Sequence, residues 1–349
     1  MKIYKFSALK TIILTVVFAI AFPALLFGTE KKLKPDGIIL HSSDCTGPDG
    51  KGFGKFGHIC AKNYHFIVKK NGIIQRGAPE ERIIKHVGSK FNNTSLSVLV
   101  EGSFGAGQLF CANDRMPVKQ EEALKKLLFM LMDKYDIPLS QIERHRDNDN
   151  LLSCPGYGFP YFELLYSMSK SLIKEAGNPL LEDICKKKGI SLPLKSAKIY
   201  VDKSDLTLSL YEGEVLLKSY RIGLSNKPQG DKLRAGDRKT PVGTFYICEK
   251  YPTRAWMEFS YPDVAHAKVG LTKKIIDQRQ YDLIVNAVNS GSVPFHGSAM
   301  GNDVGMHAGG FPYGRMRTDY TAGCVGLEDP EAFEIYNAVP IGSSITIME

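Results

Sequence analysis

Apolar residues recur along this chain in two rhythms, and the change of rhythm divides it. Ile38-Ile39-Leu40 is a short run of the buried-strand kind, ending at His41. Tyr64–Arg76 alternates around Asn71-Gly72, which predicts a hairpin whose tight turn uses two positive-φ residues. Ser95–Val100 predicts another strand. Pro117 then opens a helix in which Ala123, Leu124, Leu127, Leu128 and Leu131 recur at helical spacing, and Pro138 closes it. Strands alternating with a packed helix predict a mixed α/β domain over residues 37–169. Residues 170–196 read as a linker holding a short helix near Leu180–Lys187, followed by Gly189 and Pro193. From Lys198 strand signals dominate, with Ile199–Leu210 and Val215–Ile222 bracketing a turn at Glu212-Gly213. Frequent glycine and no long amphipathic helix before Pro330 predict a mainly β domain over 197–349. It closes with a helix, Pro330–Ala338, and a strand, Ser344–Met348.

A chain of 349 residues is long for one core and comfortable for two. Its formal charge of +8 suits an anionic polymer or membrane surface, and no nucleic-acid motif accompanies it. Lys2, Lys5 and Lys10 precede an uncharged run, Thr11–Phe27, and the polar segment Thr29-Glu30-Lys31-Lys32 follows. A basic stretch before a short apolar one is an export signal. Residues 1–28 are therefore expected to be a signal peptide or, uncleaved, an inner-membrane anchor; the protein is placed in the periplasm or cell envelope. In an oxidising compartment most of the seven cysteines pair, and an odd count leaves at least one thiol free. Cys45 and Cys60 share a Gly-rich loop and can bridge, but connectivity is not legible.

Three residues in the first domain have the chemistry of a metal site. His41 ends a strand, and His145 and Cys154 lie close together in Glu143-Arg144-His145-Arg146-Asp147…Ser153-Cys154-Pro155-Gly156. Two imidazoles and a thiolate favour Zn²⁺ and leave a fourth position for water, whose pKa falls to about 7. Around them, in order, stand Asn63-Tyr64-His65-Phe66-Ile67-Val68, His86-Val87-Gly88 and Asn92-Asn93-Thr94-Ser95-Leu96. This series resembles the N-acetylmuramoyl-L-alanine amidase family shared with peptidoglycan-recognition proteins. The resemblance implies that His41, His145 and Cys154 bind zinc, that Tyr64 helps hold the oxyanion, and that the muramoyl–L-alanine amide of peptidoglycan is hydrolysed. Two departures stand out: Leu152 replaces a frequent Lys, and Leu99 aligns with a frequent Glu. Glu101, two residues on and on the same strand face, becomes the expected general base. His86 is expected to line the substrate groove, and His65 to face away from Tyr64; His58 has no assigned role.

The second domain offers a nucleophile. Cys324 sits in Asp319-Tyr320-Thr321-Ala322-Gly323-Cys324-Val325-Gly326-Leu327, downstream of Gly305-Met306-His307-Ala308-Gly309-Gly310. A cysteine nucleophile needs a base, and glycines let backbone N–H groups approach an oxyanion. Thr240-Pro241-Val242-Gly243-Thr244-Phe245 and Ile199-Tyr200-Val201-Asp202 precede them. Together these resemble the L,D-transpeptidase catalytic domain, in the subgroup with a Thr-x-Gly-Cys motif. The resemblance implies attack by Cys324 on the diaminopimelate carbonyl of a stem peptide, with His307 as base, Gly323 and Cys324 amides on the oxyanion, and Thr321 at the substrate. His296 is the runner-up base. The usual Arg two residues after the cysteine is Gly326 here. The reading is a mixed-sheet amidase domain followed by a transpeptidase-type β domain, together remodelling peptidoglycan glycan strands and stem peptides. Its rivals are an amidase-like module that binds without cutting, and an unrelated secreted metal-binding protein.

Overall fold

In the computed structural model, the described residues are 32–43, 63–87, 89–105, 115–148 and 154–349. Thr11–Phe27, Cys45, Cys60, Cys111, His58 and Leu152 lie outside them. Among the described residues no helix is long and apolar enough to cross a membrane.

The first domain is a mixed sheet with helices packed around it. Its elements are β1 (Gly37–Ser42), β2 (Phe66–Val68), β3 (Ile74–Arg76), α1 (Ser89–Asn92), β4 (Ser95–Val100), α2 (Val118–Tyr135), β5 (Ile142–Arg144), α3 (His145–Asn148) and α4 (Tyr161–Glu175). The strand order is β3-β2-β4-β1-β5, parallel except for the β2–β3 pair. Register decides which residues meet. Ile38 and Leu40 share a face with Leu96, Val98, Phe66 and Val68, and these form the core with Leu124, Leu128 and Leu131 of α2. His41 pairs with Leu99 on the opposite face, where it is free to do chemistry.

The β2–β3 turn differs from expectation. Only Gly72 takes positive φ, at 86°; Asn71 instead uses its side-chain oxygen to accept from the Ile73 N–H, 3.0 Å away. That local bond makes a longer loop as satisfactory as the tight turn.

The second domain is a sheet that closes on itself. It comprises α5 (Leu181–Lys187), β6 (Ala197–Asp202), β7 (Thr207–Glu212), β8 (Val215–Ser225), β9 (Gly243–Tyr251), β10 (Trp256–Phe259), α6 (Val264–Thr272), α7 (Gln278–Asn289), β11 (Gly305–Ala308), β12 (Asp319–Thr321), β13 (Val325–Leu327), α8 (Asp329–Ala338) and β14 (Ser344–Met348). Nine strands run β12-β8-β13-β11-β10-β9-β14-β6-β7, and β7 also pairs with β8 to make it barrel-like. Ile199–Leu210, expected as one strand, is two, because Asp202 accepts from Ser204 and Asp205 and Leu206 turns left-handed at φ 51°. Helices α6 and α7, of 9 and 12 residues, stand in a stretch where no long amphipathic helix was expected. Each starts on an aspartate that accepts from a backbone N–H three residues on, Asp263 from His266 and Asp277 from Gln280. They bury a small separate cluster, Ala267, Ile276, Ile284 and Met300.

The two domains share one continuous core. Residues 170–196, read above as a linker, carry the end of α4 and all of α5. Phe162 of α4 lies against Tyr336 and Phe333 of α8, with ring centres 4.8 and 6.2 Å apart. The buried Glu334 carboxylate meets the Leu181 N–H, Lys218 Nζ at 2.7 Å and Tyr220 Oη at 3.1 Å.

His266 couples the second domain's stability to pH. Its ring nitrogens lie 2.6 Å from Asp263 and 3.1 Å from Asp231. Burial pulls its pKa down, but the two carboxylates outweigh burial and lift it from 6.5 to about 9. A raised histidine stabilises fully below its unfolded pKa of 6.5 and loses that contribution as pH climbs through about 9. Urea midpoints measured across that window are expected to fall by the equivalent of about 2–3 kcal/mol, with His266→Gln flattening the slope. An unchanged slope in that variant would remove His266 from the account.

Candidate active sites

His41, His145 and Cys154 converge as expected. Their ligand atoms all lie within 4.8 Å of one another, and all three residues are buried. Strand β1 brings His41, and β5 runs into α3 to deliver His145. His41 faces Cys154 Sγ through Nδ1 at 3.8 Å, while its Nε2 is 3.1 Å from His86 Nδ1. Burial, then the charges of His86 and His145, hold the His41 pKa well below its ordinary range, so its lone pairs are available to a cation. Burial likewise lowers His86 to about 4. The three form the wall of a cavity of about 370 Å³ that also exposes Tyr64, Lys85 and Asn63. The Tyr64 ring centre is 5.4 Å from that of His41, and burial raises its pKa, keeping its hydroxyl a donor.

The donor set fits zinc in one oxidation state of the sulfur. Cys154 is disulfide-bonded. A thiolate, and not a disulfide sulfur, is the metal ligand. With Cys154 reduced, the three residues could hold a metal ion, and their donor set fits zinc.

Two expectations around this site change. Glu101 does not serve it: β4 ends at Val100, and the carboxylate accepts from the Lys70 N–H at 2.8 Å. Leu99, buried to 1% exposure, is the residue that faces His41 across the sheet. His86 stands closer to the chemistry than groove lining implies, because it holds the outer nitrogen of a ligand. His65 is structural as expected, bound to Ser97 and to the Arg82 carbonyl.

In the second domain, β11 and β13 run side by side with His307 opposite Gly326. Cys324 lies in the bend that leads into β13, and its sulfur is hydrogen-bonded by the backbone of Gly305, two residues before His307. His307 Nδ1 donates to the Ala308 carbonyl at 2.8 Å, which leaves Nε2 proton-free. Its ring stacks on Trp256, centres 5.6 Å apart and planes 15° off parallel. Burial lowers the His307 pKa to about 4, so the imidazole is neutral and basic at neutral pH. Cys324 Sγ lies 3.7 Å from the Asp303 carbonyl. Burial pushes the Cys324 thiol up, against the opposing charges of Lys232 and Arg254. His296, the runner-up base, is engaged by Glu258 at 2.9 Å.

Thr321 and Gly323 take roles other than those expected. The buried Thr321 hydroxyl donates to the Cys324 carbonyl at 2.8 Å and accepts from the Gly323 N–H at 3.3 Å. Thr321 thus shapes the nucleophile loop from within, and the Gly323 N–H is spent on it. Gly323 is required for a different reason: at φ 137° its Cβ would sit 2.7 Å from the Lys239 carbonyl.

The glycine at 326 also has a steric cause. A Cβ there would lie 1.7 Å from the Tyr320 hydroxyl, so Tyr320 fills the space where a side chain would begin. Nothing in the sequence signals this, since Tyr320 reaches in from the neighbouring β12. Gly326→Ala is expected to lower stability by about 1–3 kcal/mol through overpacking. Chemical denaturation of Gly326→Ala and Gly326→Ala/Tyr320→Phe should show the second recovering part of the loss; equal losses would mean that Tyr320 is not the obstacle.

Comparison with known proteins agrees with this architecture. Residues 31–157 match the family model for N-acetylmuramoyl-L-alanine amidase, and residues 196–347 match that for the L,D-transpeptidase catalytic domain. The chain therefore joins an amidase-family domain to an L,D-transpeptidase-family domain, both of kinds that act on peptidoglycan. No curated protein matches it. Among solved structures it is similar to the N-acetylmuramoyl-L-alanine amidase LysC from Clostridium intestinale URNW, at 25% identity over 39% of this chain and 86% of that one, TM-score 0.30. It is also similar to the helical cell shape determining protein Pgp2 from Campylobacter jejuni, at 21% identity over 46% of this chain and 49% of that one, TM-score 0.31. An L,D-transpeptidase from Mycobacterium smegmatis matches at 14% identity over 44% of this chain and 59% of that one, TM-score 0.25.

Proposed function

We propose that the chain is an exported, bifunctional peptidoglycan enzyme: a zinc amidase joined to a cysteine acyltransferase. The observation that supports it is a converged His41/His145/Cys154 set in one domain and, in the other, a Cys324 whose sulfur is hydrogen-bonded by the Gly305 backbone two residues from His307. The basic residues ahead of Thr11–Phe27 support export to the cell envelope.

In the first site His41, His145 and reduced Cys154 would hold the ion. When bound, zinc supplies a water acidified to about pKa 7 for attack on an amide carbonyl. His86 orients the His41 ring from behind. The protonated Tyr64 hydroxyl donates to the oxygen of the muramoyl–L-alanine amide. In the second site His307 Nε2 takes the Cys324 proton, and Sγ bonds to the diaminopimelate carbonyl carbon. The Cys324 amide faces the oxyanion. The C–N bond to the departing group breaks, and the imidazolium returns its proton to that amine. An incoming amine or water then takes the acyl group, the C–S bond breaks and the thiol is restored.

A second reading has support from Leu99 facing His41 and from Glu101 being turned away: the first domain binds glycopeptide without cutting it. Release of stem peptides from purified sacculi by zinc-loaded protein tests this. Release supports the amidase; zinc occupancy of the His41 site with no release leaves recognition alone.

A further inference from the structure

Arg254 and Ala255 are consecutive non-glycine residues in the left-handed region, at φ 56° and 49°. Such backbone persists only where the surroundings over-determine it, and it concentrates at functional sites. Here the surroundings come from both domains. Thr253 accepts from Arg144, the residue before His145, at 3.4 Å. Asp329 accepts from the Ser140 N–H of the first domain and the Gly310 N–H of the second, each at 2.8 Å. Gly310 lies between the two domains, its Cβ position in van der Waals range, 3.5 Å, of both Arg254 Nη2 and Gln141 Nε2.

What this turn presents to the cysteine site is specific. Its next residue is Trp256, the ring on which His307 stacks. Arg254 Nη2 donates to the Ala308 carbonyl at 3.2 Å, the same oxygen that accepts from His307 Nδ1 at 2.8 Å. Arg254 Nε is buried with no hydrogen-bond partner among the described residues, so the guanidinium is not held there for a full set of structural bonds.

We propose that Arg254 is a positioning residue for His307: by sharing the Ala308 carbonyl it fixes the imidazole with Nδ1 committed and Nε2 ready for the Cys324 proton. The inference rests on the Cys324–His307 reading above and adds a residue to it. The charge of Arg254 also favours the Cys324 thiolate directly, so the part of its effect that passes through the imidazole is the part that disappears when His307 is removed.

The test is a double-mutant cycle on the full-length protein, read as the rate of iodoacetamide alkylation of Cys324 at pH 7 by peptide mapping. Arg254→Gln is expected to slow alkylation by about three- to tenfold, the rate equivalent of one hydrogen bond. In a His307→Ala background the same change is expected to slow alkylation markedly less, because the group it positions is gone and only its charge on the sulfur is left. Arg254→Lys, which keeps a donor, is expected to restore most of the rate. Slow labelling of the buried Cys185 serves as the check on folding. Should Arg254→Gln expose Cys185, the cycle is read with Arg254→Met, and equal slowing in both backgrounds overturns the proposal. An Arg254 effect that adds in full to that of His307→Ala overturns it as well. If His307→Ala itself leaves alkylation unchanged, the Cys–His reading falls; if only Arg254→Gln is silent, this inference falls alone.

Discussion

Cys324→Ala is expected to eliminate every product cut or joined at the diaminopimelate carbonyl, a loss of about a thousandfold or more. The size follows from the chemistry. An acyl-enzyme cannot form on a methyl group. Cys185 is buried in the core, and burial pushes the Cys248 thiol up to about 12, so neither is a substitute nucleophile. His307→Ala should reduce the same products and slow alkylation of Cys324 together. Stem peptides released by the first domain should persist in the Cys324→Ala protein. High-performance separation of digested sacculi checks both statements, and persistence of the diaminopimelate-level products in Cys324→Ala would remove the cysteine from the mechanism.

The second large effect concerns the metal. Reduced wild-type protein is expected to carry about one zinc per chain, and His145→Ala/Cys154→Ser almost none. Losing two of three ligands leaves His41 alone, and a single imidazole does not retain the ion. Stem-peptide release should vanish with the metal, while Cys324 alkylation continues. Because Cys154 is disulfide-bonded in this structure, zinc uptake should also depend on reductant, low after oxidation and restored by a thiol. Metal analysis with and without reductant decides this. Full zinc occupancy in the double variant would place the ion elsewhere.

Much of the architecture was legible because local pattern and tertiary burial agree in it. Ser95–Val100 and Ser344–Met348 are short apolar runs between turns, and each forms the expected strand. The helix after Pro117 follows its leucine spacing and stops where Asp136 turns left-handed at φ 54°. Helices α6 and α7 were hidden because their apolar residues cover only a small side cluster, so a long stripe never develops. The convergence of His41, His145 and Cys154 was expected from the family resemblance of the motifs around them, not from their chemistry alone. The place of Glu101 was not legible, since period-two reasoning assumes that the strand continues, and β4 ends one residue before it. Tyr320 and Arg254 were beyond reach for another reason. Each enters the cysteine site from a strand or turn remote in sequence, and only the closed sheet brings them to His307 and Gly326.

The central claim is that one chain performs two chemistries on one polymer. Mass spectrometry of muropeptides after purified sacculi are incubated with reduced, zinc-loaded wild-type protein tests it most directly. The account predicts two product classes: free stem peptides lacking the muramoyl group, and stems altered at the diaminopimelate carbonyl. The first class should disappear in His145→Ala/Cys154→Ser and the second in Cys324→Ala. A muropeptide profile indistinguishable from that of untreated sacculi, from protein shown to hold zinc and a reactive Cys324, would contradict it.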